Sequence, residues 1–216
     1  MTTLNKIKAH ILKQFDENLV SLYSYGNPPL QKSGPVYLLT VLKSASVKEF
    51  RRYAKTKNAF KETVQLSCFT EKELHNAIDV FPIEFLEIKQ TKKLLHGTDI
   101  LTDVEVRLTH LRHECEYTLR STILKLRAAL LVPKSNLTEL MSDSFPIFFS
   151  TLKCIFALNK QDSPSSQADC LTALSELTGV SLTQFSTLLL KDKINDSDFQ
   201  HYIDTLSQLT FYVNEL

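Results

Sequence analysis

Arginines and a glutamate share one face of a long predicted helix and form the first candidate binding group. Arg112, Glu116 and Arg120 follow one another at four-residue spacing, and Arg127 lies seven residues further on. Because residues four apart are neighbours on a helix surface, Glu116 can bridge both flanking arginines. Two interpretations stay open: an ion-pair ladder on the surface, or arginines that line a ligand-binding cleft between two domains.

A second group is basic and lies on the helix predicted after the second strand. Lys48, Arg51, Arg52 and Lys55 share one face of that helix and could bind phosphate or RNA. The net charge of the chain is only +1, however, and no aromatic residues for base stacking are interleaved with these cations. A solvated helix face is therefore the favoured interpretation, and nucleic acid is not expected as a partner.

Motifs of common hydrolases, metalloproteases and nucleotide-binding enzymes are missing from the chain. It contains no H-E-x-x-H, G-x-S-x-G or G-x-x-x-x-G-K-[ST] pattern. Its 4 cysteines lack zinc-like spacing and stand among apolar neighbours, which indicates buried, reduced thiols. Met1–His10 lacks a signal-peptide pattern, and the apolar stretch Ser144–Leu158 is too short to span a membrane. We expect a cytoplasmic protein without a membrane partner.

The stretch YSYGNPPLQKSGPVYLLTVL, Tyr23 to Leu42, has the outline of a ligand-binding loop between two strands. The loop Gly26–Gly34 offers no acid, no histidine and a single lysine. The apolar run Val36–Leu42 is typical of a strand buried on both faces. The two strands therefore predict a ligand-binding frame, but the loop between them lacks reactive side chains.

The elements predicted around these residues divide the chain into an α/β domain, 1–100, and a helical bundle domain, 101–216. The fold class is α+β, with a small mixed sheet followed by an all-helical bundle. In the first domain we predict helices over 3–17 and 46–61, a helix that starts with a Thr70–Glu73 capping box, and strands over 18–25, 36–42, 63–69 and 81–89. In the second we predict helices over 103–131, 136–158 with a break near Pro146, 166–177, 181–190 and 196–213.

Two segments of this chain together resemble the nucleotidyltransferase superfamily, the fold of polymerase beta and kanamycin nucleotidyltransferase. They are Asp79–Leu101, DVFPIEFLEIKQTKKLLHGTDIL, and Leu111–Leu131, LRHECEYTLRSTILKLRAALL. Both are similar to segments of bacterial nucleotidyltransferase-like proteins that carry a C-terminal helical domain. The matching residues are Glu84, Phe85, Leu86, Ile88, Lys89, Gly97, Asp99, Leu111, Arg112, Glu116, Leu119, Arg120, Leu124, Leu126 and Arg127.

The resemblance implies a metal-assisted transfer reaction for which this chain lacks most of the ligands. The family uses a Gly-Ser loop for the triphosphate, and a D-x-D pair with a third carboxylate for two Mg²⁺ ions. This chain has Gly26–Asn27 in place of Gly-Ser, and Pro35-Val36-Tyr37 in place of D-x-D. Only Glu84 matches the third carboxylate, and one carboxylate does not make a two-metal site.

We therefore expect a catalytically inactive nucleotidyltransferase-like protein that needs no cofactor and binds a nucleotide, another small molecule or a protein partner. The ligand-binding candidates are Gly26, Asn27, Tyr37, Glu84, Lys89, Arg112, Glu116 and Arg120. One alternative is an active Mg²⁺-dependent nucleotidyltransferase in which Glu84, Glu87, Asp99 and Asp103 replace the lost ligands. Another is a protein-interaction module that works through its helices and uses the α/β part as a scaffold.

Overall fold

The computed structural model of the protein describes residues 3–26, 36–60, 64–164, 166–182, 184–188 and 191–216. The chain folds as two compact units, Met1–Val106 and Arg107–Leu216. The predicted candidate Asn27 and the loop around it lie outside the described residues.

Unit 1 has the predicted mixture of helices and strands. Along the chain the described elements are α1 (Thr3–Phe15), a 3-10 turn (Asp16–Asn18), β1 (Leu19–Tyr25), β2 (Val36–Leu42), α2 (Val47–Phe60), β3 (Val64–Thr70), α3 (Glu71–Ala77), α4 (Pro82–Thr91) and β4 (Lys93–Gly97). The capping box at the start of α3 is confirmed, since the Thr70 hydroxyl accepts from the Glu73 N–H at 3.2 Å and the Glu73 carboxylate accepts from the Thr70 N–H at 2.8 Å.

The four described strands form one mixed sheet in the order β3-β2-β1-β4. β1 runs antiparallel to both β2 and β4, whereas β2 and β3 are parallel. The prediction of a mixed sheet with Val36–Leu42 in its interior is confirmed, as is the α+β fold class.

Apolar side chains of unit 1 form a core on each face of the sheet. On one face, Ile7 and Ile11 of α1 pack against Leu22 and Leu38. On the other, α3, α4 and the segment after β4 cover a second cluster, whose strand members are Tyr23, Leu39 and Val41. Successive residues of β2 thus enter opposite cores, which explains why its sequence is apolar without alternation.

The strand predicted over Phe81–Lys89 is wrong, because this segment is helix α4. Pro82 lies at the first helical position, where its missing N–H would have no helical partner and its fixed φ favours the helix. Glu84 therefore lies on a helix and not on a strand. The fourth strand is instead β4, whose residues are largely exposed, so its sequence lacks the apolar alternation that marks a strand.

Unit 2 contains helices only among its described residues. They are α5 (Leu108–Leu130), α6 (Leu137–Leu158), α7 (Gln167–Thr178), α8 (Gln184–Leu188) and α9 (Asp196–Asn214). The helix predicted from Asp103 begins five residues later than expected, at Leu108. The cause lies in unit 1, where Leu101 and Val104 are buried in the core below the sheet and the preceding segment is held there in a non-helical conformation.

The break predicted at Pro146 is also wrong, since α6 continues through this residue. Phe145 before the proline and Phe148 after it are buried in the same core, together with Leu152. Burial of several large side chains, each worth roughly 1.5–3 kcal/mol, outweighs the roughly 3 kcal/mol that an interior proline costs a helix.

Helix α6 is long and apolar enough, by length and composition alone, to cross a membrane. That is weak evidence, because the core helix of a globular unit meets the same criteria. Eight of its side chains are buried, among them those of Phe148 and Ile155.

Candidate functional site

Two tyrosines meet where β1 ends and β2 begins, at the ends of the predicted ligand-binding frame. Tyr25 and Tyr37 are partners in the antiparallel register, and their ring centroids lie 5.8 Å apart with the planes tilted by 49°. The Tyr25 hydroxyl lies 3.2 Å from the Ser67 hydroxyl of β3. Three strands thus bring three hydroxyl-bearing side chains together.

Gly26 directly follows this pair and turns the chain with a φ of +83°. Its N–H donates to the Thr91 hydroxyl of α4 at 2.8 Å, and that hydroxyl donates to the Glu87 carbonyl at 2.6 Å. A Cβ at this position would come within 3.3 Å of the Tyr37 ring. The N–H of Gly26, one of the predicted ligand-binding candidates, is therefore already hydrogen-bonded within the protein.

Two carboxylates of α4 add negative charge near the tyrosines. Glu84 is exposed and Glu87 is half-buried. Burial raises the pKa of Tyr25, a hydrogen bond with Ser67 lowers it, and the charges of Glu87, Tyr37 and Glu84 raise it further. Tyr25 therefore stays a neutral phenol at physiological pH.

We call this group the strand-end site, and define it by its members Tyr25, Gly26, Tyr37, Ser67, Glu84 and Glu87. It brings together three of the predicted candidates, Gly26, Tyr37 and Glu84. Its chemistry is that of aromatic faces, hydroxyls and two carboxylates, which suits hydrogen bonding and stacking. Tyr25, Ser67 and Thr91 were missed by the sequence analysis. Only the strand register could have found Tyr25, because it pairs Tyr25 with Tyr37.

The donor set of the strand-end site does not fit the two Mg²⁺ ions that the resemblance implies. Mg²⁺ is held by carboxylates in near-octahedral geometry, and here Tyr37 places a phenol in the segment that the resemblance matches to D-x-D. The remaining acids, Glu84 and Glu87, both come from one helix. Across the described residues there is no group of three His, Cys, Asp or Glu side chains that could hold a metal ion.

The two other acids of the active-enzyme alternative lie in a different environment. The Asp99 carboxylate forms a 2.6 Å salt bridge with Lys92, and Oδ1 accepts hydrogen bonds from the Tyr23 hydroxyl and the Leu101 N–H, each at 3.1 Å. Asp103 is exposed in the turn before α5. Burial alone would raise the pKa of Asp99, but the hydrogen bonds from Lys92, Leu101 and Tyr23 outweigh it and lower the pKa.

The Tyr23 hydroxyl completes this group, which we call the Asp99 cluster and define as Tyr23, Lys92, Thr98, Asp99 and Ile100. The Ile100 N–H donates to the Tyr23 hydroxyl at 2.8 Å, and the Thr98 carbonyl lies 3.2 Å from it. The Lys92 ammonium also lies 5.8 Å from the centroid of the Tyr23 ring. The cluster fixes the segment after β4 to β1, and its acid is already paired.

The remaining predicted site residues lie on α4 and α5. The Lys89 ammonium donates to the Val104 carbonyl at 2.7 Å, so it holds the segment that precedes α5. Glu116 bridges both arginines, with Arg120 Nε at 2.8 Å and an Arg112 terminal nitrogen at 3.6 Å. The ion-pair ladder is therefore present, while ligand binding by these four residues stays a prediction.

Comparison with known proteins gives weak likenesses only. No protein-family model matches the chain, and no curated protein matches it. Among solved structures it is similar to a nucleotidyltransferase-like protein from Exiguobacterium sibiricum, at 10% identity and a TM-score of 0.38, over 96% of this chain and 74% of that one. It is also similar to a mutant of the toxin-antitoxin MntA-HpeT, at 17% identity and a TM-score of 0.31, over 45% of this chain and 74% of that one.

Scores this low carry no argument about mechanism, ligands or partners. The α+β fold rests on the sheet and the helices of the chain itself. A nucleotidyltransferase-like neighbour nevertheless occurs among the structures that this chain resembles, as the sequence resemblance predicted.

Proposed function

We propose that this protein is nucleotidyltransferase-like in fold, does not transfer nucleotides, and works by binding a small molecule at the strand-end site. The observation that supports the proposal is the contact between Tyr25 and Tyr37, whose rings lie 5.8 Å apart where the resemblance implies metal-binding carboxylates. A neutral phenol is a poor ligand for Mg²⁺, and burial keeps the pKa of Tyr25 above its usual value.

The ligand that fits this site best has a ring and hydrogen-bond donors. The tyrosine faces favour stacking, and the hydroxyls of Tyr25 and Ser67 are within reach of polar groups. Glu84 and Glu87 repel phosphates, and the Gly26 N–H is engaged by Thr91. We therefore expect a nucleoside to bind at least as tightly as the corresponding triphosphate, without a requirement for Mg²⁺.

An activity assay tests the absence of transfer chemistry. The protein is incubated with labelled ATP, Mg²⁺ or Mn²⁺, and a panel of aminoglycoside and protein acceptors, with Glu84→Ala as the control. We expect no pyrophosphate release above that of the control. Release above it would support the active-enzyme alternative that uses Glu84, Glu87, Asp99 and Asp103.

A thermal-shift titration tests the binding site directly. We expect stabilisation by nucleosides that is independent of Mg²⁺ and is lost in Tyr37→Ala. Tyr117→Ala is the matched control, because Tyr117 is an exposed tyrosine of α5 outside the site. Equal loss in both variants, or stabilisation by ATP only when Mg²⁺ is present, argues against the proposal. A cytoplasmic location belongs to the same proposal and stays a prediction.

A further inference from the structure

A groove lies between helices α5 and α9 of unit 2, and none of its lining residues belongs to the strand-end site. The groove has a volume of about 330 Å³. Its lining residues are Arg120, Ile123, Leu124, Arg127, Ser207, Thr210 and Phe211.

The floor of this groove is apolar in its chemistry. The Ser207 hydroxyl donates to the Ile203 carbonyl at 2.9 Å, and the Thr210 hydroxyl donates to the Leu206 carbonyl at 2.7 Å. Both hydroxyl protons are thus used within α9. What the groove offers a partner is mainly carbon surface.

Two large apolar side chains beside this floor are exposed to solvent. Leu124 is 64% exposed and Phe211 is 69% exposed. A single exposed apolar residue is ordinary, but two that line one concave surface are typical of a protein-binding site.

The charged residues of the groove are both cations. Arg120 and Arg127 lie seven residues apart on α5, which is about 10.5 Å along the helix. Arg120 forms a salt bridge with Glu116 through its Nε, whereas Arg127 has no ion pair within the part of the chain that the structure describes. Among the residues that the structure describes, no acidic one lines the groove. Its potential is therefore complementary to a ligand that is apolar in the middle and acidic at both ends.

We propose that this groove binds an amphipathic helix of a partner protein. Apolar side chains of that helix pack on Leu124 and Phe211, and two carboxylates seven residues apart, hence about 10.5 Å apart, pair with Arg120 and Arg127. Arginine recognises carboxylates with two parallel hydrogen bonds, which fixes the orientation of the partner.

Charge and shape disfavour other occupants. A second copy that docks groove to groove would place arginines opposite arginines, because an isologous interface pairs a surface with itself. A nucleic acid would find two cations and an apolar floor, too little for the phosphate contacts on which its affinity depends.

Fluorescence anisotropy with the full chain and two labelled synthetic peptides tests the proposal. One helical peptide carries glutamates seven positions apart with two leucines between them on the same face, and the other has lysines in place of the glutamates. We expect the acidic peptide to bind about tenfold or more tightly than the lysine peptide. The charge-reversal double variant Arg120→Glu with Arg127→Glu should invert this preference.

Matched variants distinguish specific binding at the groove from nonspecific electrostatic or hydrophobic binding. Lys125→Glu is the charge control, since Lys125 is exposed on the same helix but does not line the groove. Leu124→Ser with Phe211→Ser should abolish binding of the acidic peptide, whereas Ile147→Ser, a change at an exposed apolar residue of α6, should leave it intact. Tyr37→Ala should also leave it intact, so this test is independent of the proposed small-molecule site.

Four outcomes overturn the proposal. The acidic peptide does not bind, both peptides bind equally, or Lys125→Glu weakens binding as much as the double charge reversal does. In the fourth, sedimentation equilibrium detects a dimer that Leu124→Ser with Phe211→Ser dissociates, in which case the groove is an interface between copies of this chain.

Discussion

Tyr23 and Tyr25 lie two positions apart on β1, on the same face of the sheet, and differ in what surrounds their hydroxyls. The Tyr23 hydroxyl bonds to the Asp99 carboxylate and accepts from the Ile100 N–H at 2.8 Å. The Tyr25 hydroxyl has one hydroxyl partner, Ser67, and its ring lies against Tyr37. The same residue type on the same strand thus anchors the backbone at one position and faces a candidate binding site two residues later.

The carboxylates near the two tyrosines differ in the same way. Asp99 is paired with Lys92, whose side chain is only 16% exposed. Glu84 and Glu87 have no ion pair among the described residues. An acid that is already paired serves the fold, whereas unpaired acids beside aromatic rings are available to a ligand. The comparison supports a structural role for the Asp99 cluster and leaves the strand-end site as the proposed binding site.

The largest difference between the two regions should appear at their glycines. Gly97 and Gly26 both have a φ of +83°, but a Cβ at Gly97 would overlap the Val20 carbonyl, and one at Gly26 would meet only the Tyr37 ring. We expect Gly97→Ala to destabilise unit 1 by about 3 kcal/mol or more, through backbone strain and displacement of β4. Gly26→Ala should cost about 1 kcal/mol, the penalty of a left-handed conformation for a residue with a Cβ.

Hydrogen exchange of the β1 amides measures the loss of stability in both glycine variants, because it reports on unit 1 separately from unit 2. Amides of α9 are the internal control and should not change. Equal losses of stability in Gly97→Ala and Gly26→Ala would contradict the prediction that a Cβ is crowded by backbone at Gly97 and tolerated at Gly26.

Removal of the two hydroxyls should give the next largest difference. Tyr23→Phe leaves the Ile100 N–H without its acceptor and removes one of the hydrogen bonds that Asp99 accepts, so we expect a loss of about 2 kcal/mol. Tyr25→Phe removes one hydrogen bond with Ser67, and we expect a loss of about 1 kcal/mol. Urea unfolding followed by far-UV circular dichroism measures both, and a larger loss for Tyr25→Phe contradicts the assignment.

The pairing of Asp99 should give a pH-dependent contribution to stability. Because the fold lowers the pKa of this carboxyl, its ionised form is stabilised above the unfolded-state pKa near 3.9, and that stabilisation is lost as the pH falls through the lower folded value. We expect Asp99→Asn to cost about 1 kcal/mol at neutral pH, with the two proteins converging in acid. A difference that persists unchanged at low pH would show that the effect is not electrostatic.

The smallest effect should come from Glu84. This residue is exposed and has no ion pair with any residue that the structure describes, so Glu84→Gln should change the free energy of unfolding by less than about 0.5 kcal/mol. Removal of its charge should lower the pKa of Tyr25 slightly, because Glu84 is one of the charges that raise it. Ultraviolet titration of tyrosinate, with Tyr25→Phe to assign the signal, measures the shift. A stability loss as large as that of Asp99→Asn would place Glu84 among the structural residues.

Signals that lie within a few residues of one another were sufficient for much of the fold. The apolar run Val36–Leu42 predicted a strand buried on both faces, and Thr70 with Glu73 predicted the start of α3. The four-residue spacing of Arg112, Glu116 and Arg120 predicted that Glu116 bridges both arginines. Each of these features depends on a short-range residue spacing or on a helix cap, and both can be recognised directly in the sequence.

Long-range contacts decided the remainder. Where α5 began and whether α6 continued through Pro146 depended on burial in cores built from distant residues. The strand-end site depends on the same cause, since the register between β1 and β2 places Tyr25 beside Tyr37 and the sheet brings Ser67 of β3 to the Tyr25 hydroxyl. The sequence alone determined that Pro35-Val36-Tyr37 has no carboxylate where the resemblance implies a D-x-D pair. Only the tertiary structure decided which side chains stand beside Tyr37, because strand register and core burial are properties of residues far apart in the chain.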